Sequence, residues 1–102
     1  MTYPSELETG VAGRIAKLLS DQGGSWSPSE RAEVERYLRA GEYGLALDTL
    51  SWILVEEKKP ISRDALGEIE SLADVMQLAQ EPFVDAVRAS VDQQTAGRRS
   101  AR

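Results

Sequence analysis

The sequence contains neither cysteine nor histidine, and these two absences remove several classes of function. Without cysteine, neither a disulfide framework nor a thiolate metal site can form. Without histidine, the commonest general base and metal ligand is missing, so only carboxylates, lysine, tyrosine and hydroxyl groups remain for catalysis. We therefore expect a protein that is not an enzyme and has no catalytic residue, no cofactor and no metal ion.

Long hydrophobic runs are absent as well. The first ten residues, MTYPSELETG, lack the basic start and the apolar stretch of a signal peptide. No apolar segment approaches the roughly 20 residues that a membrane-spanning helix needs. These features predict a cytoplasmic protein that does not associate with membranes.

Basic residues are outnumbered, with 12 lysines and arginines against 17 acidic residues. Three of the arginines (Arg98, Arg99 and Arg102) lie in the last eight residues, so residues 1–94 hold nine basic and 17 acidic residues, a net charge of −8. Such a field repels nucleic-acid phosphates and anionic lipids, and it attracts basic proteins. The charge therefore favours a basic protein partner and disfavours direct binding to nucleic acid.

Helical periodicity runs through most of the chain, without the alternation that is typical of strands. Serine, proline and glycine signals divide this pattern into five helices. The helices are predicted to begin near Ser5, Ser27, Glu42, Ser62 and Glu81, and the first three to end near Gly23, Gly41 and Lys58–Lys59. The sequence predicts an all-α, single-domain bundle of about five helices with short loops over residues 1–94, followed by a flexible C-terminal tail over residues 95–102.

The third predicted helix is apolar almost all the way round. One broad face is assigned to the core, and it consists of Tyr43, Ala46, Leu47, Leu50, Ile53 and Leu54. On the opposite side, Leu45 and Trp52 lie one heptad apart, with Asp48 and Glu56 one turn either side of the tryptophan. Either a neighbouring helix covers Leu45 and Trp52, or they form an exposed ridge that binds a partner. The candidate partner-binding residues are Glu42, Leu45, Asp48, Trp52 and Glu56.

Two pairs of neighbouring carboxylates could suggest acid–base chemistry: Glu56 with Glu57, and Glu68 with Glu70. Neither pair has a histidine, a phosphate-binding loop or a metal-ligand spacing to work with. We therefore assign them to solvated helix faces.

The central segment resembles the MafI family of bacterial immunity proteins over roughly residues 34–76. The similar pattern begins with a short helix, continues with Gly41-Glu42-Tyr43-Gly44-Leu45-Ala46-Leu47-Asp48, and ends with Pro60-Ile61-Ser62 opening a further leucine-bearing helix. The resemblance implies a cytoplasmic antidote that binds the toxic C-terminal domain, often a nuclease, of a polymorphic bacterial toxin.

Two functions thus follow from the sequence. The first is an immunity protein that neutralises a cognate, basic toxin domain, since an acidic surface can occupy a phosphate-binding surface and speed association. The alternative is a non-enzymatic helical adaptor or regulatory protein that binds another basic protein. The sequence leaves the oligomeric state, the identity of the toxin and the binding face undecided.

Overall fold

The structure is a computed structural model that describes the backbone of residues 6–21 and 26–100, and the side chains of residues 10–21 and 26–96. Its helices are α1 (Glu6–Asp21), α2 (Pro28–Arg39), α3 (Tyr43–Glu56), α4 (Arg63–Val75) and α5 (Pro82–Ser100). No residue within the described ranges belongs to a β-strand. The predicted all-α bundle of five helices is confirmed.

Two of the predicted helix starts are made by serine side chains. Ser27 forms a complete capping box, in which its Oγ accepts from the Glu30 N–H at 3.1 Å and its own N–H donates to Glu30 Oε1 at 2.9 Å. Ser62 caps α4 by accepting from the Ala65 N–H at 3.0 Å. Glu42 precedes α3 without a capping hydrogen bond from its side chain. The predicted start at Ser5 lies outside the described residues.

The ends of α2, α3 and α4 share one backbone arrangement, in which the residue after the C-cap has a positive φ. After α2, Gly41 has φ 75°, and the N–H groups of Gly41 and Glu42 donate back to the carbonyls of Leu38 and Tyr37. This is a Schellman motif, and glycine is the residue that adopts its left-handed position without strain. The same hydrogen-bond pattern follows α3 and α4, but Lys58 (φ 52°) and Gln77 (φ 62°) occupy the left-handed position there.

The Schellman motif at Lys58 ends the third helix earlier than the sequence predicted. The sequence pattern placed that end at Lys58–Lys59, but α3 ends at Glu56. Because Lys58 takes a left-handed conformation, the chain leaves the helix there, and Lys59, Pro60 and Ile61 lie outside any helix.

Replacing Lys58 with glycine is expected to stabilise the fold by about 0.5–1 kcal/mol, because the strain of a side chain at positive φ is removed from an exposed position. Urea unfolding at equilibrium measures this change. The matched variant Gly41→Ala introduces the same strain after α2 and is expected to lower stability by about 1 kcal/mol. A loss of stability in Lys58→Gly would contradict the prediction.

Helix α3 is the central helix, and it contacts each of the other four. Around it, α2 contacts α1, α1 contacts α4, and α4 contacts α5, whereas α2 and α5 make no contact within the described part of the chain. The four outer helices therefore form an open ring, and its gap lies between α2 and α5. Leucine, valine and alanine side chains from all five helices, with Phe83, fill the space between α3 and this ring.

Contacts with α3 and with the segment that follows it show the directions of α2 and α5. Lys59, just after α3, pairs with Glu30 at the start of α2, so these two helices are antiparallel. The Gln94 side chain accepts from the Ile61 N–H and donates to the Lys59 carbonyl, at 3.1 and 2.9 Å. Leu78, before α5, lies against Gly44 near the start of α3, so α5 runs parallel to α3.

The face of α3 that was assigned to the core is largely buried. Ala46, Leu47, Leu50 and Leu54 are all fully inaccessible to solvent, while Tyr43 and Ile53 are half-buried. Ser51 is also fully buried, and its hydroxyl has no hydrogen-bond partner in the described structure. The periodicity of this helix thus identified the centre of the core correctly and its edges only approximately.

The last helix is longer than the sequence pattern suggested. Its backbone remains helical through Ser100, beyond the predicted domain boundary at residue 94. The flexibility of residues 95–102 stays a prediction. None of the helices in the described ranges is long and apolar enough to cross a membrane.

Candidate partner-binding site

The five candidate residues lie along one side of α3, which we call the α3 ridge: Glu42, Leu45, Asp48, Trp52 and Glu56. Leu45 keeps 47% of its surface exposed and is the only exposed large hydrophobic residue among those whose side chains are described. Glu42 and Glu56 are exposed, whereas Asp48 and Trp52 are half-buried. Trp52 also packs against the core cluster. Of the two interpretations left open by the sequence, coverage by a helix is wrong for Leu45 and only partly right for Trp52.

The gap in the ring of helices explains why this side of α3 is accessible. On a wheel of 100° per residue, Leu45, Asp48, Trp52 and Glu56 fall within about 80°, opposite the buried Leu50 and Leu54. The buried side of α3 faces the ring, so the ridge faces the gap between α2 and α5. Leu45 is therefore open to solvent and Trp52 is partly open, although both are residue types that usually pack in a core.

The carboxylates of the α3 ridge differ from those at the helix interfaces. Glu68 of α4 receives two hydrogen bonds from Arg14 of α1, at 2.7 and 2.8 Å. Glu70 of α4 pairs with Arg88 of α5. Both glutamates are partly exposed, as their assignment to solvated faces predicted, but each also forms an ion pair to a neighbouring helix that the sequence did not indicate. Glu68 links α4 to α1 through a bidentate pair with Arg14, and Glu70 links α4 to α5 through a single hydrogen bond from Arg88 Nε.

By contrast, the side chains of Glu42, Asp48 and Glu56 take part in no ion pair or hydrogen bond within the residues that the structure describes. Three carboxylates that have no partner among the described residues therefore flank Leu45 and Trp52. A ridge of this kind combines apolar contact area with negative charge that is available to an incoming lysine or arginine.

Acid is expected to weaken the ion pair between Arg14 of α1 and Glu68 of α4. The hydrogen bond from Arg14 lowers the pKa of Glu68, although partial burial opposes this effect. A carboxylate whose pKa is lowered in the folded state adds stability at neutral pH, and that contribution is lost as the pH falls through the folded-state pKa. The difference in unfolding free energy between the wild type and Glu68→Gln should therefore shrink from neutral pH toward about pH 3.

Denaturant unfolding at a series of pH values measures this difference. Glu33→Gln is the matched control, because Glu33 is exposed on α2 and forms no ion pair or hydrogen bond in the described structure. Its difference from the wild type should change much less with pH. A constant difference for Glu68→Gln would show that the ion pair with Arg14 adds nothing to stability.

Gly44 lies just inside the start of α3, where glycine is less favourable than alanine. A Cβ at this position would meet Leu78 Cδ1, from the loop between α4 and α5, at 3.4 Å. This distance is ordinary van der Waals contact. A glycine at such a position can mark the close approach of another backbone, from within the fold or from a partner. Among the described residues, no backbone atom outside α3 comes within 4 Å of that Cβ position.

A second tryptophan, Trp26, was not identified as important from the sequence. It is 9% exposed, its indole Nε1 donates to the Leu19 carbonyl at 3.0 Å, and Lys59 Nζ lies 5.7 Å from the centroid of its ring. Lys59 Nζ also lies 3.2 Å from Glu30 Oε1. Trp26 thus joins the end of α1 to α2 and to the segment after α3. Its place directly before the Ser27 capping box was the available signal.

The described residues include no group of three or more acidic side chains that could hold a metal ion. The α3 ridge offers carboxylates and apolar area and brings no nucleophile together with a base.

Comparisons with known proteins add no relative. No family model, no curated protein and no solved structure matches this chain.

Proposed function

We propose that this protein is an immunity protein, which binds and neutralises the toxic C-terminal domain of a cognate polymorphic bacterial toxin in the cytoplasm. The observation that supports the proposal is the α3 ridge, where exposed Leu45 and half-buried Trp52 lie among three carboxylates that have no partner in the described part of the chain. The segment from Gly41 to Asp48, which contains Glu42, Leu45 and Asp48 of the ridge, resembles an immunity-protein motif, and this resemblance also supports the proposal.

The chemistry of the partner follows from the ridge. Apolar residues at the centre of an interface commonly supply most of the binding free energy, while acidic residues at the rim select a basic surface and speed its approach. A nuclease toxin presents such a basic surface, because it must bind phosphates. An antidote that covers this surface prevents access of the nucleic acid without any chemistry of its own.

Co-expression tests the proposal. The toxin domain encoded by the gene next to this one is produced in bacteria with the protein, with Leu45→Asp, or with an empty vector. We expect growth with the wild type and loss of protection with Leu45→Asp, which places a charge in the apolar centre of the ridge. Ala32→Asp, at an exposed alanine on α2, is the matched control and should still protect. Failure of the wild type to bind or protect would contradict the proposal.

The carboxylates of the ridge are expected to act on the rate of association. Asp48→Asn together with Glu56→Gln should slow association by about tenfold at low ionic strength, and the effect should diminish at high salt because screening weakens long-range attraction. Stopped-flow mixing at several salt concentrations measures these rates. A change confined to the dissociation rate would instead show that the carboxylates make direct, desolvated bonds.

The adaptor alternative uses the same ridge for a different basic protein. If the neighbouring gene encodes no toxin and a subunit of a neighbouring enzyme binds with the same dependence on Leu45, the adaptor function replaces the immunity function.

A further inference from the structure

The two flanks of the α3 ridge differ in charge. Toward α5, the cleft between α3 and α5 is lined by uncharged residues and by Lys58, its only charged residue in the described structure. Toward α2, the neighbouring surface carries the exposed carboxylate of Glu33 and the half-buried ring of Tyr37. A cation that approaches the ridge is therefore repelled by Lys58 on the α5 side and attracted by Glu33 on the α2 side.

The contacts of α2 show which of its residues border the gap in the ring. Within the described residues, α2 contacts only α1 and α3. Arg31 faces α1, since its Nη2 donates to a carbonyl of that helix at 3.4 Å, and Glu30 faces the end of α3, since it pairs with Lys59. On a wheel of 100° per residue, Tyr37 lies about 20° beyond Glu30 and Glu33 about 60° beyond it, both on the side away from Arg31. Tyr37 therefore lies at the edge of the contact with α3, and Glu33 borders the gap.

Tyr37 joins the α2 flank to the ridge. The Glu42 N–H donates to the Tyr37 carbonyl at 2.9 Å, and Glu42 is the first residue of the ridge. The Tyr37 ring packs against the core cluster, and the Arg36 guanidinium lies 5.4 Å from its centroid. The Tyr37 hydroxyl forms no hydrogen bond with any described residue. Because a large, rigid ring with a polar tip suits the centre of a protein interface, Tyr37 has the properties of a second aromatic contact beside Trp52.

Carboxylates of both helices face the gap: Glu33 of α2, with Glu42, Asp48 and Glu56 of the ridge. None of them forms an ion pair or a hydrogen bond through its side chain with a described residue. Arg36 lies about 60° further round α2 than Glu33, and it sets the outer limit of this surface because a basic partner that extended beyond it would meet a like charge. The surface between Arg36 and Lys58 is therefore negatively charged and open to a basic partner.

We infer that the basic partner binds across α2 and α3, and not across α3 and α5. Lysine or arginine residues of the partner then lie opposite Glu33 and Glu42. Its apolar residues contact Leu45, Trp52 and the Tyr37 ring. This inference rests on the proposed function, because the α3 ridge is the centre of the same interface. It adds α2 to the binding surface and sets the orientation in which the toxin domain lies on the bundle.

Site-directed cross-linking tests which flank the partner covers, since a chain without cysteine can be labelled at one chosen position. Benzophenone-maleimide is attached to Ala40→Cys at the end of α2, to Ala89→Cys beside the cleft on α5, or to Ala16→Cys on α1 as the matched control. All three alanines are exposed. Ala40 lies within about 20° of Glu33 on the wheel of α2. Each labelled variant is irradiated with the toxin domain encoded by the neighbouring gene, after gel filtration has shown whether the complex forms.

We expect Ala40→Cys to cross-link at least about ten times more efficiently than Ala89→Cys or Ala16→Cys, because only its label lies within the interface. Equal cross-linking from Ala40→Cys and Ala89→Cys, or stronger cross-linking from Ala89→Cys, would overturn the inference and leave the immunity function standing. A complex that forms without a cross-link from Ala40→Cys would do the same. If the wild type forms no complex, the proposed function fails and this inference fails with it.

A pair of substitutions tests the electrostatic part. Glu33→Gln and Gln93→Lys each raise the net charge by one, the first on the α2 flank and the second in the cleft beside α5. Both residues are exposed and helical. At low ionic strength, Glu33→Gln should slow association about threefold more than Gln93→Lys does, because a charge close to the partner's cations acts more strongly than a distant one. Stopped-flow mixing measures both rates. Equal slowing would show that only the net charge matters, and it would overturn the contact at Glu33.

Discussion

Trp26→Ala is expected to lower the free energy of unfolding by about 3–5 kcal/mol, the usual cost of truncating a buried aromatic residue. The indole is 9% exposed, and its removal leaves a cavity between α1 and α2. It also removes the bond to the Leu19 carbonyl and the ring beside Lys59. Because domains of this size are stable by only about 5–15 kcal/mol, this is a large share of the total. Urea unfolding monitored by circular dichroism measures the loss.

Trp26→Phe is the control that separates volume from hydrogen bonding. Phenylalanine fills most of the space of the indole but has no N–H for the Leu19 carbonyl. The expected loss is about 1–2 kcal/mol, since one hydrogen bond contributes about 1 kcal/mol and the packing changes slightly. If Trp26→Ala costs less than the phenylalanine variant is expected to cost, Trp26 does not hold α1 and α2 together.

Local signals in the sequence were sufficient to predict which segments form helices but not where every helix ends. Ser27 and Ser62 cap helices because each acts within three residues of itself, which a single sequence shows directly. The end of α3 was predicted two residues late, because lysine at position 58 gives no sign that it adopts a positive φ. Glycine at position 41 gave such a sign, and the end of α2 was predicted correctly.

Contacts between distant segments could not be predicted from the sequence. The pairs Arg14–Glu68 and Lys59–Glu30 depend on which helix faces which, and periodicity does not determine this. For the same reason the sequence could place Leu45 and Trp52 on one side of α3 but could not tell whether a helix covers them. The gap between α2 and α5 is a property of the assembled ring.

The second tryptophan is expected to behave differently from the first. Trp52 is half-buried and faces the gap in the ring, so Trp52→Ala should cost about 1–2 kcal/mol of stability, less than Trp26→Ala. Its effect on binding should be larger. An aromatic residue at the centre of an interface commonly contributes 2 kcal/mol or more, which corresponds to a dissociation rate about 30-fold faster. Surface plasmon resonance with the immobilised toxin domain measures that rate.

Leu45→Ala separates the two effects of Trp52→Ala, because Leu45 lies on the same ridge with 47% of its surface exposed. Its truncation should change stability by no more than about 0.5 kcal/mol, and any faster dissociation then reports on the interface alone. If Trp52→Ala destabilises the fold as strongly as Trp26→Ala, and Leu45→Ala leaves the dissociation rate unchanged, then Trp52 is a core residue. The binding surface would in that case lie away from the α3 ridge.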